Sequence, residues 1–213
     1  MTKFPALLLL FVGTSFVLSA QHVSIGVKLG TVPGDVYTSR LGGHIDESKR
    51  YTVGPSLDVE LWKGLGVEFD ALYRRIGFDA SRDYVEAYYA RQRGNSWEFP
   101  LLAKYRLPVS EVVRPFVGAG FAWRKTTGSG YTQQMVWAHP GDDLSRRPYE
   151  ADYPTTHGAV VGGGVEFNAK HLRIAPEFRY THWTKPFHDV HYGSVIEYSE
   201  QNQVQILLGI SWK

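Results

Sequence analysis

Two groups of residues have types and spacing that bear on chemistry. His182 and Thr184 stand two apart, and an imidazole base beside a hydroxyl is the chemistry of an activated nucleophile. A catalytic triad is defined by geometry rather than by spacing, and a His and a Thr at the end of a strand account for the pair without any reaction. His182, His188 and His191, with Asp189, form the second group. Metal geometry needs ligands that converge in space, so a His-x-x-His in one loop is expected to be solvated, with no metal bound. The run Gly162–Gly164 precedes no helical pattern and lacks a Lys-Ser/Thr partner, which excludes a phosphate loop.

The elements that must position these residues are strands. Eight segments alternate with period two: Val23 to Leu29, Tyr51 to Leu61, Leu65 to Tyr73, Trp97 to Leu107, Val113 to Trp123, Ala159 to Phe167, Leu172 to Tyr180 and Val204 to Trp212. Successive side chains of a strand point to opposite faces, so each segment carries one apolar and one polar face. The apolar faces hold no charged residue. The other faces hold Lys28, Asp58, Glu60, Glu68, Asp70, Arg74, Glu98, Lys104, Arg106, Arg114, Arg124, Glu166, Arg173, Glu177 and Arg179, eight positive and seven negative. Each segment is close to the ten residues that a tilted strand needs to cross a bilayer.

Composition narrows the class. The chain has 213 residues, no cysteine, a net charge of +2 and 14% aromatic residues. Disorder, a disulfide scaffold and a Cys-based zinc site are excluded. Near-neutral charge without basic runs argues against nucleic acid as a partner. Met1–Lys3 is a short basic start, Phe4 to Leu18 is nearly all apolar, and Ser19-Ala20 are small, the pattern of a secretory signal peptide over residues 1–20, cleaved after Ala20 or Ser19. Residues 21–213 are then one exported domain. No later apolar run reaches transmembrane-helix length, so an integral membrane contact must be made with strands.

A soluble barrel turns its apolar faces inward; a membrane barrel turns them outward and fills its interior with polar groups. Three features favour the membrane form. Connections alternate long and short: residues 31–50, 75–96, 125–157 and 181–202 are long, and Trp62–Gly64, Pro108–Val112 and Asn168–His171 are short. Tyr51, Tyr73, Trp97, Trp123 and Tyr180 lie at the long-loop ends of strands, and Trp62, Tyr105, Phe167 and Trp212 at the short-turn ends, as two interfacial girdles. Eight charges against seven can pair in a narrow interior, which in an eight-stranded barrel is just wide enough for side chains. The expected fold is all-β, an eight-stranded antiparallel up-and-down transmembrane barrel with a plugged polar lumen and both termini periplasmic. Pro55, Pro100, Pro115 and Pro176 fall inside the segments, and each is expected to mark a bulge, a strand end or a register fault.

Trp97-Glu98-Phe99-Pro100-Leu101-Leu102-Ala103-Lys104-Tyr105 and Arg114-Pro115-Phe116-Val117-Gly118-Ala119-Gly120 resemble the fourth and fifth strands of the bacterial outer membrane protein beta-barrel domain family. Gly162-Gly163-Gly164-Val165-Glu166-Phe167 and Pro176-Glu177-Phe178-Arg179-Tyr180 are similar to its sixth and seventh. The resemblance implies a small barrel in a Gram-negative outer membrane and implies no activity. Such chains usually end on an aromatic residue read by the insertion machinery; here Trp212 is penultimate and Lys213 last. Arg179-Tyr180-Thr181-His182-Trp183-Thr184 also resembles the active strand of outer-membrane lipid A deacylases, which implies an esterase alternative using His182 and Thr184, with Glu197 or Glu200 as third partner. Thr stands there in place of Ser, and Lys185 in place of Asn.

The expectation is therefore a non-enzymatic, cofactor-free monomer. Its partners are outer-membrane lipid and, during biogenesis, the insertion machinery. Its role is structural or surface-interacting, through long extracellular loops. The third of these carries Tyr131, Trp137, Tyr149 and Tyr153 among Arg146, Arg147, Asp142 and Asp143, which strands extended beyond the membrane explain as well as a binding surface does. A small pore or a soluble ligand-binding barrel is the second alternative.

Overall fold

The computed structural model describes residues 22–33, 37–39, 44–47, 50–83, 87–134, 146–148, 153–187, 189–192 and 195–212. The signal-peptide reading and Lys213 fall outside them. Eight barrel strands run in chain order. They are β1 (His22–Thr31), β2 (Tyr51–Trp62), β3 (Leu65–Asp70, resuming as Leu72–Asp83), β4 (Ala87–Arg106), β5 (Val113–Gln134), β6 (Thr155–Asn168), β7 (Leu172–Trp183) and β8 (Asn202–Trp212). Each pairs antiparallel with the next, and β8 closes on β1 through Ile25↔Trp212 to Thr31↔Ile206. Closure pairs every backbone edge, the condition for a sheet to cross lipid.

The period-two pattern resolves as outside and inside. Ile25, Val27 and Leu29, then Leu101, Phe121, Val161, Phe178 and Ile206, are exposed on the outer wall, while the charged positions between them are buried. A soluble ligand-binding barrel would reverse this arrangement, so that alternative is corrected here.

The short turns are tight. Lys63 and Gly64 have φ of 45° and 84°, and Trp62 pairs with Leu65 across them. Positive φ at both central residues is the primed turn that matches strand twist. A register shift lies beside it, between Glu60 and Trp62.

The long loops differ from expectation. Strands β3, β4 and β5 continue to Asp83, from Ala87 and to Gln134, so much of 75–96 and 125–134 is sheet rather than loop. The backbone ladder carries on past the apolar band, where the outer face turns polar at Arg75 and Asn95 and the apolar-outward alternation no longer marks it. Further short strands, His44–Glu47 and Arg146–Pro148, pair onto β3 and β5. Tyr37–Ser39, Asp189–Tyr192 and Val195–Ser199 form a separate three-stranded sheet.

The prolines produce no register fault. Ser56↔Asp70 and Val53↔Tyr73 keep one register across Pro55, and Phe69↔Leu101 and Leu72↔Glu98 keep one across Pro100. Ala71 donates to the Pro55 carbonyl at 3.0 Å, but Pro55 has no N–H to return the bond. Flanked by Pro55 on one side and Pro100 on the other, β3 loses its ladder at Ala71 and resumes in step. Pro176 leaves a similar gap between Gly164↔Glu177 and Phe167↔Ile174. Pro115 lies beside the end of β4, where its carbonyl accepts from Leu107 at 2.8 Å.

Candidate functional site: the barrel interior and its loop-side end

Inward positions of all eight strands meet in the interior. Of the fifteen charged residues named above, fourteen are buried, and Arg114 is half-buried. Near the short turns, Asp58 and Glu166 face Lys104, Arg106 and Arg173. Arg106 Nε donates to both Glu166 oxygens at 3.1 and 3.0 Å, and its Nη2 pairs with Asp58. Arg173 lies 3.2 Å from Glu166, and Lys104 2.9 Å from it. At mid-height, Glu68, Asp70 and Glu177 face Lys28 and Arg179. Lys28 pairs with Glu68 and reaches Glu177 at 2.6 Å, and Arg179 reaches Asp70 at 2.9 Å and Glu177 at 2.7 Å. Lys104 joins the two tiers through Glu68 at 3.0 Å.

Two further pairs complete the arrangement. Arg114 pairs with Glu60 at 2.9 Å near the turn-side end. Arg74 lies 3.4 Å from Glu98, whose carboxylate also accepts from Gln203 at 2.9 Å and Gln205 at 3.0 Å. Seven carboxylates thus meet seven of the eight cations. Desolvating a lone charge in such an interior costs several kcal/mol, roughly, and mutual pairing with extra hydrogen bonds is what offsets that penalty. A cavity of about 20 Å³ remains between Ser24, Lys28, Ser56, Asp58, Glu166 and Arg173, room for about one water.

The eighth cation, Arg124, belongs to a different layer. Its guanidinium lies 4.2 Å from the Trp183 ring and 4.8 Å from that of Phe187, and its Nε donates to Thr156 Oγ1 at 3.1 Å. Trp183 and Phe187 are fully buried. Trp183 packs with Leu102, Ala122 and Val160, and its indole N–H donates to Gln203 at 3.2 Å. Phe187 N–H donates to Ser199 Oγ at 2.8 Å. The chain leaving β7 therefore folds back over the interior, and charge gives way there to an aromatic layer.

Sequence reasoning put Gln203 and Gln205 on the inner face but named only charged residues as interior sites, and it missed Trp183 and Phe187. Parity contained three of these four: Trp183 continues the Arg179, Thr181 face, and Gln203 and Gln205 share the Leu207 face. Phe187 lies beyond the strand and carried no such signal.

The girdle residues lie on the outer wall. Tyr51, Trp97, Trp123 and Tyr180, with Trp62, Tyr105, Phe167 and Trp212, are exposed, and Tyr73 is half-exposed with its ring 5.2 Å from that of Trp97.

His182 and Thr184 are on the outer wall too but are directed to other partners. His182 Nδ1 lies 2.9 Å from Asn202 Oδ1, which also accepts from the Tyr180 hydroxyl at 2.7 Å. Thr184 Oγ1 donates to the His157 carbonyl at 2.8 Å. Neither bond is the base-to-hydroxyl contact that the esterase alternative needs. Glu197 pairs through its backbone with Ser39 and Val190 in the separate sheet. Asp189 and His191 lie on the strand paired with it, and His188 falls outside the described residues. In the third loop, Tyr131 pairs with Pro148 and Arg146 and Arg147 pair with Gln133 and Thr132, while Tyr153 is exposed beneath Lys185 Nζ at 4.7 Å. Trp137, Asp142, Asp143 and Tyr149 fall outside the described residues.

A closed eight-stranded barrel, apolar without and charged within, defines an outer-membrane barrel, and the chain belongs to the outer membrane protein beta-barrel domain family, whose model matches residues 4–213. Among solved structures it is similar to the outer membrane protein OprG from Pseudomonas aeruginosa. The TM-score is 0.55 at 11% identity, covering 89% of this chain and 93% of that one. It also matches Neisserial surface protein A, NspA, with a TM-score of 0.46 at 12% identity over 90% of this chain and 96% of that one. No curated protein sequence matches the chain. The family and its neighbours indicate the bacterial outer membrane.

Proposed function

We propose that this protein is a plugged outer-membrane barrel, a rigid anchor that presents its long loops and extended β3–β5 wall outside the cell, with both termini periplasmic and no enzymatic activity. The observation that carries the reading is the interior packing: seven carboxylates and seven cations pair across the lumen, and the Arg124–Trp183–Phe187 layer lies over them at the loop-side end. An ion crossing this interior would have to separate buried pairs, among which Lys28, Asp58, Glu166 and Arg173 line a cavity of about 20 Å³. The outward course of the loops follows the family's pattern of short periplasmic turns and long extracellular connections.

Planar-bilayer recording of the refolded full chain tests the plug. The expected record is flat apart from brief, irregular events. A stable, large conductance step would overturn the plugged lumen and favour the small-pore alternative.

A further inference from the structure

We propose that the outer wall of β3–β5, just beyond the loop-side girdle, binds the phosphate groups of a phosphorylated outer-leaflet glycolipid. Cross-strand partners share a face of the sheet. In one row, Tyr73 pairs with Trp97 and Trp97 with Lys125; in the next, Arg75 pairs with Asn95 and Asn95 with Thr127; in the third, Gly77 pairs with Arg93. Arg75, Arg93 and Lys125 thus surround Asn95 on three adjacent strands. At a strand spacing of about 4.8 Å and a rise of about 3.3 Å per residue, the backbone of Arg75 lies roughly 8 Å from that of Arg93 and roughly 12 Å from that of Lys125, with Arg93 and Lys125 roughly 14 Å apart at the two ends.

The rows are also layered by polarity. Exposed Trp97, Trp123 and Phe121 form an aromatic floor on the lipid side. Lys125 stands beside Trp97 at the edge of that floor; above it come the Tyr73 hydroxyl, which donates to Asn95 Oδ1 at 2.7 Å, and then Arg75 and Arg93. Apolar floor, neutral hydrogen-bonding step and cationic rim match, in order, the acyl chains, sugar and phosphates of such a lipid.

Among the described side chains, charge is one-sided here. Around the loop-side outer wall, the described charged side chains are Arg50, Arg75, Arg93, Lys125 and Lys185, against the single acid Glu200. Among the described residues, neither Arg75 nor Lys125 makes an ion pair, although both are exposed. Cations held where the headgroup layer meets the wall attract anionic lipid, and a planar guanidinium binds phosphate oxygens in a fixed fork.

This assignment rests on the loop end facing outside, and the experiment separates the two. Native mass spectrometry of the refolded full chain in detergent, titrated with lipid A, measures binding whatever the orientation in cells. Wild type is expected to retain lipid A, and the variant Arg75→Gln/Lys125→Gln to lose about tenfold or more in affinity. Lys170→Gln, at a turn on the other end, is expected to leave affinity unchanged. Dephosphorylated lipid A is expected to bind wild type and the double variant equally weakly, and millimolar inorganic phosphate not to compete. Equal affinity of the double variant for lipid A would overturn the site, and competition by inorganic phosphate would reassign it to a free anion. Should the double variant fail the heat-modifiable gel shift that reports folding, the two single variants carry the same comparison. Orientation is read independently, because the chain has no cysteine and Lys185→Cys gives a unique label site. Labelling of intact cells by an impermeant maleimide is expected, and labelling only after lysis would overturn the outer-leaflet assignment alone.

Discussion

The guanidinium of Arg124 stacks 4.2 Å from the indole of Trp183, with both side chains buried inside the barrel mouth. That contact joins β5 to the chain leaving β7 and divides the interior into two chemistries. Below it, charge is met by charge. At its level, the Arg124 guanidinium is also met by aromatic faces, which attract it through their quadrupoles. A barrel filled by ion pairs alone would meet water at its loop-side end; the aromatic layer withdraws those pairs from it.

Trp183→Ala is expected to be the most damaging single change in this layer. The indole is fully buried against Leu102, Ala122 and Val160 and holds a hydrogen bond to Gln203. Removing such a side chain costs about 3–5 kcal/mol. Urea unfolding of the variant in detergent or short-chain lipid vesicles, followed by heat-modifiable gel shift, checks the value. A loss below about 1 kcal/mol would mean that the layer is not packed as described.

The charge tiers make a contrasting prediction. Arg106 meets Asp58 and Glu166 with almost no exposure, whereas Arg114 meets Glu60 from a half-buried position. Arg106→Met leaves two buried carboxylates short of a partner, and truncating one member of a buried pair costs about 3–5 kcal/mol. Arg114→Met, at a partly solvated pair, is expected to cost about 1 kcal/mol or less. Paired unfolding curves decide the matter, since equal losses would mean that burial does not set the value of these contacts.

How much of this was legible follows from what parity encodes. Period two placed Arg179 and Glu177 on the face opposite Tyr180 and Phe178, and the structure has the first two buried and the others exposed. It gave strand count, turn position and both girdles because each is a one-dimensional property of the chain. It did not give which cation meets which acid. Lys28 and Glu177 are 149 residues apart, and their contact depends on the register with which the barrel closes. The extension of β3 to Asp83 and β5 to Gln134 was hidden for a related reason. Beyond the lipid, neither face needs to be apolar, so the ladder persists while its sequence mark disappears. The return of Phe187 into the mouth is irregular backbone with no period to read.

The proline gaps lead to a further test. Pro55→Ala supplies the N–H that would complete the bond pair with Ala71, whose own N–H already reaches the residue 55 carbonyl at 3.0 Å. A net backbone bond contributes about 0.5–1.5 kcal/mol. Losing proline's restriction of the unfolded chain removes about 0.4–1 kcal/mol. The expected net change in stability is therefore within about 1 kcal/mol, while hydrogen exchange finds the new amide protected. Rapid exchange at that amide, with the barrel still folded, would show that the ladder gap has another cause than the missing donor.

His182→Ala separates the anchor from the esterase alternative. A working base would need its imidazole free to take a proton from the Thr184 hydroxyl, yet Nδ1 is held 2.9 Å from Asn202 Oδ1 and the hydroxyl is spent on the His157 carbonyl at 2.8 Å. Reorienting both would break the Tyr180–Asn202–His182 cluster and give up the hydroxyl bond of Thr184 to β6, leaving only its backbone N–H on the His157 carbonyl at 2.9 Å. The expected result is therefore structural and not chemical: lipid A extracted from cells carrying His182→Ala has the same mass spectrum as lipid A from wild type and from a deletion strain. Barrel stability falls by about 0.5–1.5 kcal/mol for the lost hydrogen bond. If the deletion strain and His182→Ala share an extra acyl chain that wild type lacks, the anchor reading gives way to an esterase, and Thr184→Val would then have to reproduce that phenotype.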